Sequence, residues 1–206
     1  MTKRKRITLI HATALVVVLL VFQSLYFRGS FRMFAQNHVT KQRDVTTLSH
    51  TYKPVQLSIA DYIVDLRVPE GTDVHASPDK GESMQFSLYF TNSKLDFRGY
   101  VQVWKVTDIE HFLSDSRSLS PFDFRSYSIT KVQGNNYHGL KTEWTANIGQ
   151  NLISGKEYWL TLSSNEVARV SFFTDSAEFP REFEDMTQQI SNSLIIAGTK
   201  NKNRLA

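Results

Sequence analysis

The feature that most constrains this chain is an uncharged run of 21 residues at positions 7–27, dominated by Leu, Val, Ile, Ala and Phe. A helix rises about 1.5 Å per residue, so the run matches a hydrocarbon core about 30 Å thick. A cleavable signal peptide has a shorter apolar region of about 7 to 15 residues and ends in small residues, whereas here RGSFRMFA follows. We therefore predict a transmembrane signal anchor at 7–27. The alternatives are cleavage near Ala35 or a buried core helix.

Basic residues before the anchor predict its orientation. Residues 3–6 read KRKR, and such clusters keep the adjoining terminus in the cytoplasm. Arg28 and Arg32 lie on the other side and reduce the bias. We expect a single-pass protein of the cell membrane, with residues 1–6 in the cytoplasm and the C-terminal domain extracytoplasmic.

The distribution of charge excludes nucleic acid as an expected partner, although the whole chain has a net charge of +4. Residues 1–43 contain eight basic residues and no acid, and a predicted disordered tail at 199–206 is also basic. Residues 45–198 contain 13 basic and 19 acidic residues, a net of −6. An acidic domain repels phosphate backbones, whereas basic flanks suit anionic lipid headgroups and membrane topology.

The chain has no cysteine, which excludes disulfides, thiolate chemistry and the commonest zinc frameworks. The domain outside the membrane must therefore be stabilised by its hydrophobic core. Residues 28–56 show an irregular pattern and are predicted to be a juxtamembrane linker. Residues 57–198 are enough for one core.

From Leu57 onward the apolar residues alternate, which predicts strands. In residues 60–69, for example, every second side chain from Tyr62 to Val68 is apolar or aromatic. The further predicted strands are MQFSLYF, FRGYVQVWKV, FDFRSYSITKV, YHGLKTEWTANI, KEYWLTLS and EVARVSFFTD. Short turns join most of them, so we predict an antiparallel sheet.

Two segments in the same region have helical spacing. TDIEHFLSDSR is a short predicted helix, with Thr107 and Glu110 as its capping box. A second predicted helix begins near Asp175 or Ser176, includes Pro180, and places apolar residues from Phe183 onward at steps of three or four. Strands combined with these helices predict the α+β class.

The order of these elements resembles the Mog1/PsbP-like fold over roughly residues 57–197. The resemblance is carried by YIVDLRVPEG, VQVWKVTDIEHFL, VQGNNYHGLKTEW, EYWLTLSSNEVARVSFF and FPREFEDMTQQISNSLI. It implies an α/β/α sandwich, an antiparallel sheet with helices on both faces. Members of that fold include small exported or membrane-tethered domains that look like binding or assembly factors. The resemblance transfers no site residues.

No constellation of residues predicts catalysis, a metal or a cofactor. The six histidines are scattered, without HExxH or H-x-H spacing, and the G-x-S-x-G and P-loop motifs are absent. Asp61 and Asp65, or the acids at 182–185, could act as acid and base only if burial separated their pKa values. Such acids are typical of a solvated strand or helix face. We therefore predict no catalytic residue and no metal ligand.

An aromatic and basic patch is the strongest candidate for a binding site. The alternation in KEYWLTLS puts Trp159 opposite Tyr158, and that in EVARVSFFTD puts Arg169 and Phe173 opposite Val170. If these faces meet, Trp159, Arg169 and Phe173 lie beside Tyr100 and Trp104 and could receive a peptide, a glycan or a partner helix. The alternative is that a helix covers the face and makes these residues second-layer core.

Three functions are consistent with these observations. We favour a membrane-anchored extracytoplasmic interaction or assembly module, which is not an enzyme, with the bilayer and an envelope component or protein as partners. The second is an extracytoplasmic hydrolase or lyase that uses unassigned carboxylates. The third is a single-pass sensor domain. An exposed aromatic patch favours the first, and a cleft with convergent acids favours the second.

Overall fold

The computed structural model of the protein describes residues 51–77, 81–134 and 137–198. The predicted signal anchor, most of the predicted linker and the basic tail lie outside these residues. Within the described ranges, no helix is both long and apolar enough to cross a membrane.

Antiparallel strands make up most of the described residues, together with two α-helices, which confirms the predicted α+β class. The elements are β1 (Tyr52–Ile59), β2 (Tyr62–Pro69), β3 (Asp73–Ser77), β4 (Met84–Asn92), β5 (Phe97–Lys105), α1 (Ile109–Leu119), β6 (Asp123–Gln133), β7 (His138–Ile148), β8 (Asn151–Ser163), β9 (Glu166–Thr174), a 3₁₀ turn (Arg181–Phe183), α2 (Glu184–Ser193) and β10 (Ile195–Gly198).

The strands form two sheets rather than one. Seven strands have the order β3-β4-β5-β9-β8-β7-β6, and three have the order β1-β2-β10. Strand β1 begins at Tyr52, ahead of the boundary at Leu57 that the sequence suggested, and pairs with β2 along its whole length. Strands β3 and β10 are not among the strands that the sequence predicted, and β10 follows α2 directly.

The main core lies between the two sheets and α2. Alternate residues of β2 and one face of the seven-stranded sheet contribute to it. Phe183, just before α2, and Met186 and Ile190 of α2 complete it. The central members are Val64, Leu66, Val68, Phe86, Leu88, Phe90, Tyr158, Leu160, Val170, Phe172, Phe183, Met186 and Ile190. We call this side of the seven-stranded sheet the α2 face.

Helix α1 packs on the opposite side of the seven-stranded sheet, which we call the α1 face. Leu113 is its only fully buried residue, and it joins Leu140, Trp159 and Val167 in a second, smaller apolar cluster. Thus α1 covers the end of this face near the β8–β9 turn.

Both predicted helix starts need correction. Asp108, not Thr107, is the N-cap of α1, and its carboxylate accepts the backbone N–H of His111 at 3.0 Å. Asp is at least as good a cap as Thr, and its short side chain reaches that N–H directly. The second helix does not begin near Ser176: Pro180 is extended, and a 3₁₀ turn precedes α2 at Glu184.

Candidate functional site

The structure brings the five residues of the predicted patch to the α1 face, in two neighbouring groups. The register of β8 and β9 pairs Trp159 with Arg169, and that of β5 and β9 pairs Gln102 with Arg169. Trp104 reaches the same region from β5. Tyr100 and Phe173 lie farther along the strands, with ring centroids 6.0 Å apart.

The first group lies beneath helix α1. The ring of Phe112 is 5.7 Å from that of Trp104 and 5.6 Å from that of Trp159. Trp159 is only 3% exposed, while Trp104 is half-buried. Helix α1 therefore covers Trp104 and Trp159, as in the alternative that the sequence left open.

A buried carboxylate, Glu157, organises the residues beside Trp159. The Arg169 guanidinium donates to it twice, from Nε at 3.2 Å and from NH2 at 2.7 Å, in a bidentate pair. The indole N–H groups of Trp144 and Trp159 donate to the same carboxylate at 3.2 and 3.1 Å. We call these four residues, together with Gln102, the Glu157 network.

Gln102 extends this network across β5. Its side-chain oxygen accepts from Arg169 NH1 at 3.2 Å and from the Trp104 indole at 3.1 Å, and its amide nitrogen donates to Ser87. The Arg169 guanidinium also lies 5.1 Å from the centroid of the Trp159 ring. Because its oxygens accept from Arg169 and two indoles, the Glu157 carboxylate holds these side chains in place.

The strand alternation also puts Glu157 on the face of Trp159, but it does not predict the partners of Glu157, and it does not single out Gln102. Glu157 and Trp159 are two residues apart on one strand, so their side chains share a face of the sheet. This alternation is the signal in the sequence that links Glu157 to the patch. Gln102 and Arg169 meet only because β5 and β9 pair in one particular register. That pairing joins residues far apart in the chain, which periodicity cannot predict.

The second group belongs to a continuous series of rings that crosses the α1 face away from α1. Consecutive ring centroids lie between 5.3 and 6.2 Å apart, in tilted or edge-to-face arrangements. We call this series the aromatic band; its members are Tyr89, Tyr100, Phe173, Trp144, Phe122, Phe124 and Tyr127.

Gly155 makes the centre of the aromatic band possible. It lies on β8 between Phe173 of β9 and Trp144 of β7. A Cβ at this position would lie 2.4 Å from atoms of the Trp144 ring. The indole therefore lies flat over the strand, where it bridges rings from both sides.

Exposure divides the aromatic band into a buried base and a half-exposed rim. Trp144 and Phe173 are buried, at 6% and 8%. The rim consists of five half-buried rings, Tyr89, Tyr100, Phe122, Phe124 and Tyr127. The Arg117 guanidinium at the end of α1 lies 4.7 Å from the centroid of Tyr127. The rim offers apolar ring surface with polar edges, the chemistry that is enriched where proteins bind partners.

The opposite side of β6 and β7 carries a different set of groups. Lys156 is buried, contacts Glu184 of α2, and lies 3.1 Å from Glu143. Burial by itself raises the pKa of Glu143, but hydrogen bonds from Lys141 and Lys156 outweigh it, so the pKa lies below the ordinary value of 4.5. This charge cluster ties α2 to the sheet.

Beside this charge cluster is a cleft of about 340 Å³. Its lining residues come from β6, β7, β8 and the segment before α2: Ser126, Tyr127, Ser128, Glu143, Trp144, Thr145, Gly155, Glu178 and Phe179. The Thr145 hydroxyl donates to the carbonyl of Ala177 and so holds that segment near β7. The cleft opens beside the free edge of β6.

Glu143 and Glu184 meet at the Lys156 ammonium, whereas Asp65 and Glu157 have separate partners. Asp65 accepts from Gln56 at the surface, Glu143 pairs with two lysines, and Glu157 pairs with Arg169. Glu184 contacts Lys156. In the part of the chain that the structure describes, no group of three or more His, Cys, Asp or Glu residues is arranged to hold a metal.

Comparison with known proteins gives likenesses in fold only. No protein-family model and no curated protein matches the chain. Cyanobacterial PsbP from Synechocystis is similar at 7% identity and a TM-score of 0.47, covering 77% of this chain and 99% of its own.

Two further structures are similar at 10% identity. One, from Bacteroides thetaiotaomicron, has a TM-score of 0.46 and covers 66% of this chain and 46% of its own. The other, a Pseudomonas aeruginosa protein of unknown function, has a TM-score of 0.38 and covers 69% of this chain and 96% of its own. TM-scores below 0.5 carry no argument about activity or partners.

Proposed function

We propose that this chain is a membrane-anchored extracytoplasmic interaction module that is not an enzyme and that binds an envelope protein through the aromatic band. The observation that carries the proposal is the rim, five partly exposed rings on one sheet face, with Arg117 of α1 over the ring of Tyr127. Aromatic side chains give large contact area at a small entropy cost, which is why they dominate binding energy. The anchor is the predicted helix at 7–27.

The buried groups beneath the rim support binding rather than turnover. Glu157 accepts from Arg169 and from two indoles, so it fixes the rings in place. A rigid aromatic surface loses little conformational entropy when a partner binds. A general base would need a lone pair directed at a substrate, whereas the Glu157 oxygens are directed at these donors.

Site-specific photo-crosslinking in cells tests the proposal. A benzophenone amino acid replaces Tyr100, Phe124 or Tyr127 in the full chain, each a conservative aromatic exchange at a half-buried position. Discrete adducts of defined mass are expected from these three positions. Leu162 and Leu119 are exposed apolar controls off the rim and should give none. Adducts from the controls alone, or adducts from no position, would contradict the proposal.

A further inference from the structure

The free edge of β6 is the feature that the aromatic band does not by itself explain. In the described residues β6 pairs only with β7, and it ends the seven-stranded sheet. It is 11 residues long, whereas the opposite edge strand, β3, has 5. A long edge strand presents unpaired N–H and C=O groups that another strand can bond.

The chain protects only the ends of this edge. A bulge lies between Phe124 and Ser126, and Lys131 lies near the other end; bulges and lysines both discourage strand pairing. Between them, residues 126–130 read SYSIT, with no charge and no proline. Within this stretch, Ile129 is 42% exposed. Thus five residues of the edge remain open to pairing.

The two faces of the sheet beside this open stretch differ in chemistry, with aromatic rings on one face and polar residues on the other. A partner strand whose side chains alternate between apolar and polar would match both faces. On the α1 face, Tyr127 and Phe124 belong to the rim of the aromatic band. On the other side, the residues that line the cleft include Ser126, Ser128, Glu143 and Glu178. Successive side chains of a strand point to opposite faces, so an added strand would place one set on the rings and the other in the cleft.

We propose that β6 binds an extended segment of the partner protein, which joins the sheet as an eighth strand. Its main chain bonds to residues 126–130, its aromatic or β-branched residues lie on the rim, and its intervening polar or basic residues enter the cleft. This inference rests on the proposed function, because it names the kind of partner that the aromatic band receives. It adds the free β6 edge to the binding site.

A peptide selection tests the inference on the full chain, purified in a mild detergent. The probe is a displayed library of random dodecapeptides. Selected sequences are expected to alternate apolar and polar residues. They should lose at least about tenfold in affinity for Ile129→Lys, which puts a charge within the open stretch of the edge. The matched control, Ala76→Lys on the β3 edge, should bind within about twofold of the unchanged protein.

Backbone methylation separates strand pairing from side-chain binding. Alternate N–H groups of an added strand point toward β6 and the others point away. N-methylation of the residues whose N–H groups point toward β6 should therefore abolish binding of the peptide. N-methylation of the intervening residues should leave the affinity unchanged. Binding that tolerates both sets of methylations, or an absence of enriched peptides, would overturn the inference. Photo-crosslinks from the rim would persist in that case, so the proposed function would stand.

Self-association is the competing occupant of the edge. If the full chain forms a concentration-dependent dimer that Ile129→Lys abolishes, the edge binds a second copy and the inference is wrong. The dimer is measured by analytical ultracentrifugation in matched detergent. A monomer for both proteins, together with the position-dependent methylation result, supports strand addition by a partner.

Discussion

Glu157 is the residue on which the accessible and covered parts of the α1 face both depend. Its carboxylate holds the indole of Trp159 under α1 and the indole of Trp144 at the base of the aromatic band. Arg169 neutralises it in a bidentate pair. Removal of one partner of such a pair leaves a buried charge uncompensated, which costs more than the pair contributes.

Replacement of Arg169 tests this dependence. Arg169→Met should lower the free energy of unfolding by about 3 to 5 kcal/mol, because the Glu157 carboxylate stays buried without its cation. The double variant Glu157→Gln/Arg169→Met should lose less than the sum of the two single losses. Urea denaturation of all three proteins measures this coupling. As a control, Asp115→Asn removes an exposed ion pair with His111 and should change stability by under about 0.5 kcal/mol. Strict additivity would contradict the account.

Two tyrosines make stability depend on alkaline pH. Burial first, and then negative charges such as that of Glu184, raise the pKa of Tyr158 to about 12. Burial and a hydrogen bond to Glu166 raise the pKa of Tyr62 to about 12 as well. A tyrosine in the unfolded chain deprotonates near pH 10. As the pH rises above about 10, these tyrosines therefore ionise in the unfolded state before they do so in the folded state, which favours unfolding. Stability should be unaffected below about pH 10 and should fall between about pH 10 and 12.

The Tyr158→Phe variant isolates one part of this dependence. The variant lacks the ionising hydroxyl of Tyr158. Between about pH 10 and 12 its free energy of unfolding should therefore fall by roughly 1 to 3 kcal/mol less than that of the unchanged protein. The measurement is thermal unfolding at a series of pH values, with Tyr89→Phe in the half-exposed rim as the matched control. An unchanged slope for Tyr158→Phe would show that this tyrosine does not carry the effect.

The two helices differ in how much of each is buried. Helix α2 buries four of its residues, including Met186 and Ile190 against the core, while α1 buries one. Consequently α2 completes the core, and α1 covers only part of its face. The accessible rim of the aromatic band exists because α1 is short and lies at one end of the sheet.

Core burial by α2 gives a direct prediction at the scale of the helix. Ile190→Ala should cost about 2 to 5 kcal/mol of unfolding free energy, because the site is fully buried. Ile195→Ala in β10, at a position 60% exposed, should cost under about 0.5 kcal/mol. Equal losses in denaturant titrations would mean that α2 is peripheral and that the core is placed wrongly.

The elements that the sequence predicted correctly are those with strong local patterns. Strands β4, β5, β8 and β9 alternate over seven or more residues, and β8 and β9 join at the two-residue turn of Ser164 and Asn165. The short strands β3 and β10 carry too few residues for a period to emerge. The division into two sheets depends on β2 pairing with β10, which joins distant parts of the chain.

For the candidate site, too, the sequence predicted local placement but not long-range packing. The strand alternation puts Trp159, Arg169 and Phe173 on one face, and in the structure these three residues lie on the α1 face. The extent of α1 coverage and the contribution of β6 and β7 to the aromatic band depend on long-range packing. Trp144 in particular reaches Phe173 only because β8 has a glycine between them.

At the scale of the whole molecule, the anchor at 7–27 remains a prediction. The full chain should stay with membranes through carbonate and high-salt washing, because burial of about 20 apolar residues is effectively irreversible. A version that begins at residue 50 should be soluble in the same assay. Release from the full chain of a soluble species beginning near Gln36 would contradict the prediction. Protease added outside spheroplasts should digest residues beyond about Val45 and spare an N-terminal tag.

The central claim is that the chain acts by binding through the rim of the aromatic band. Its most direct test is the affinity of the full chain for the partner that photo-crosslinking identifies, compared for Tyr127→Ser and for Leu162→Ser, an exposed residue off the rim. Tyr127→Ser should weaken binding by on the order of 1 to 3 kcal/mol while the protein stays folded, and Leu162→Ser should leave the affinity unchanged. Equal affinities for Tyr127→Ser and the unchanged protein would contradict the claim.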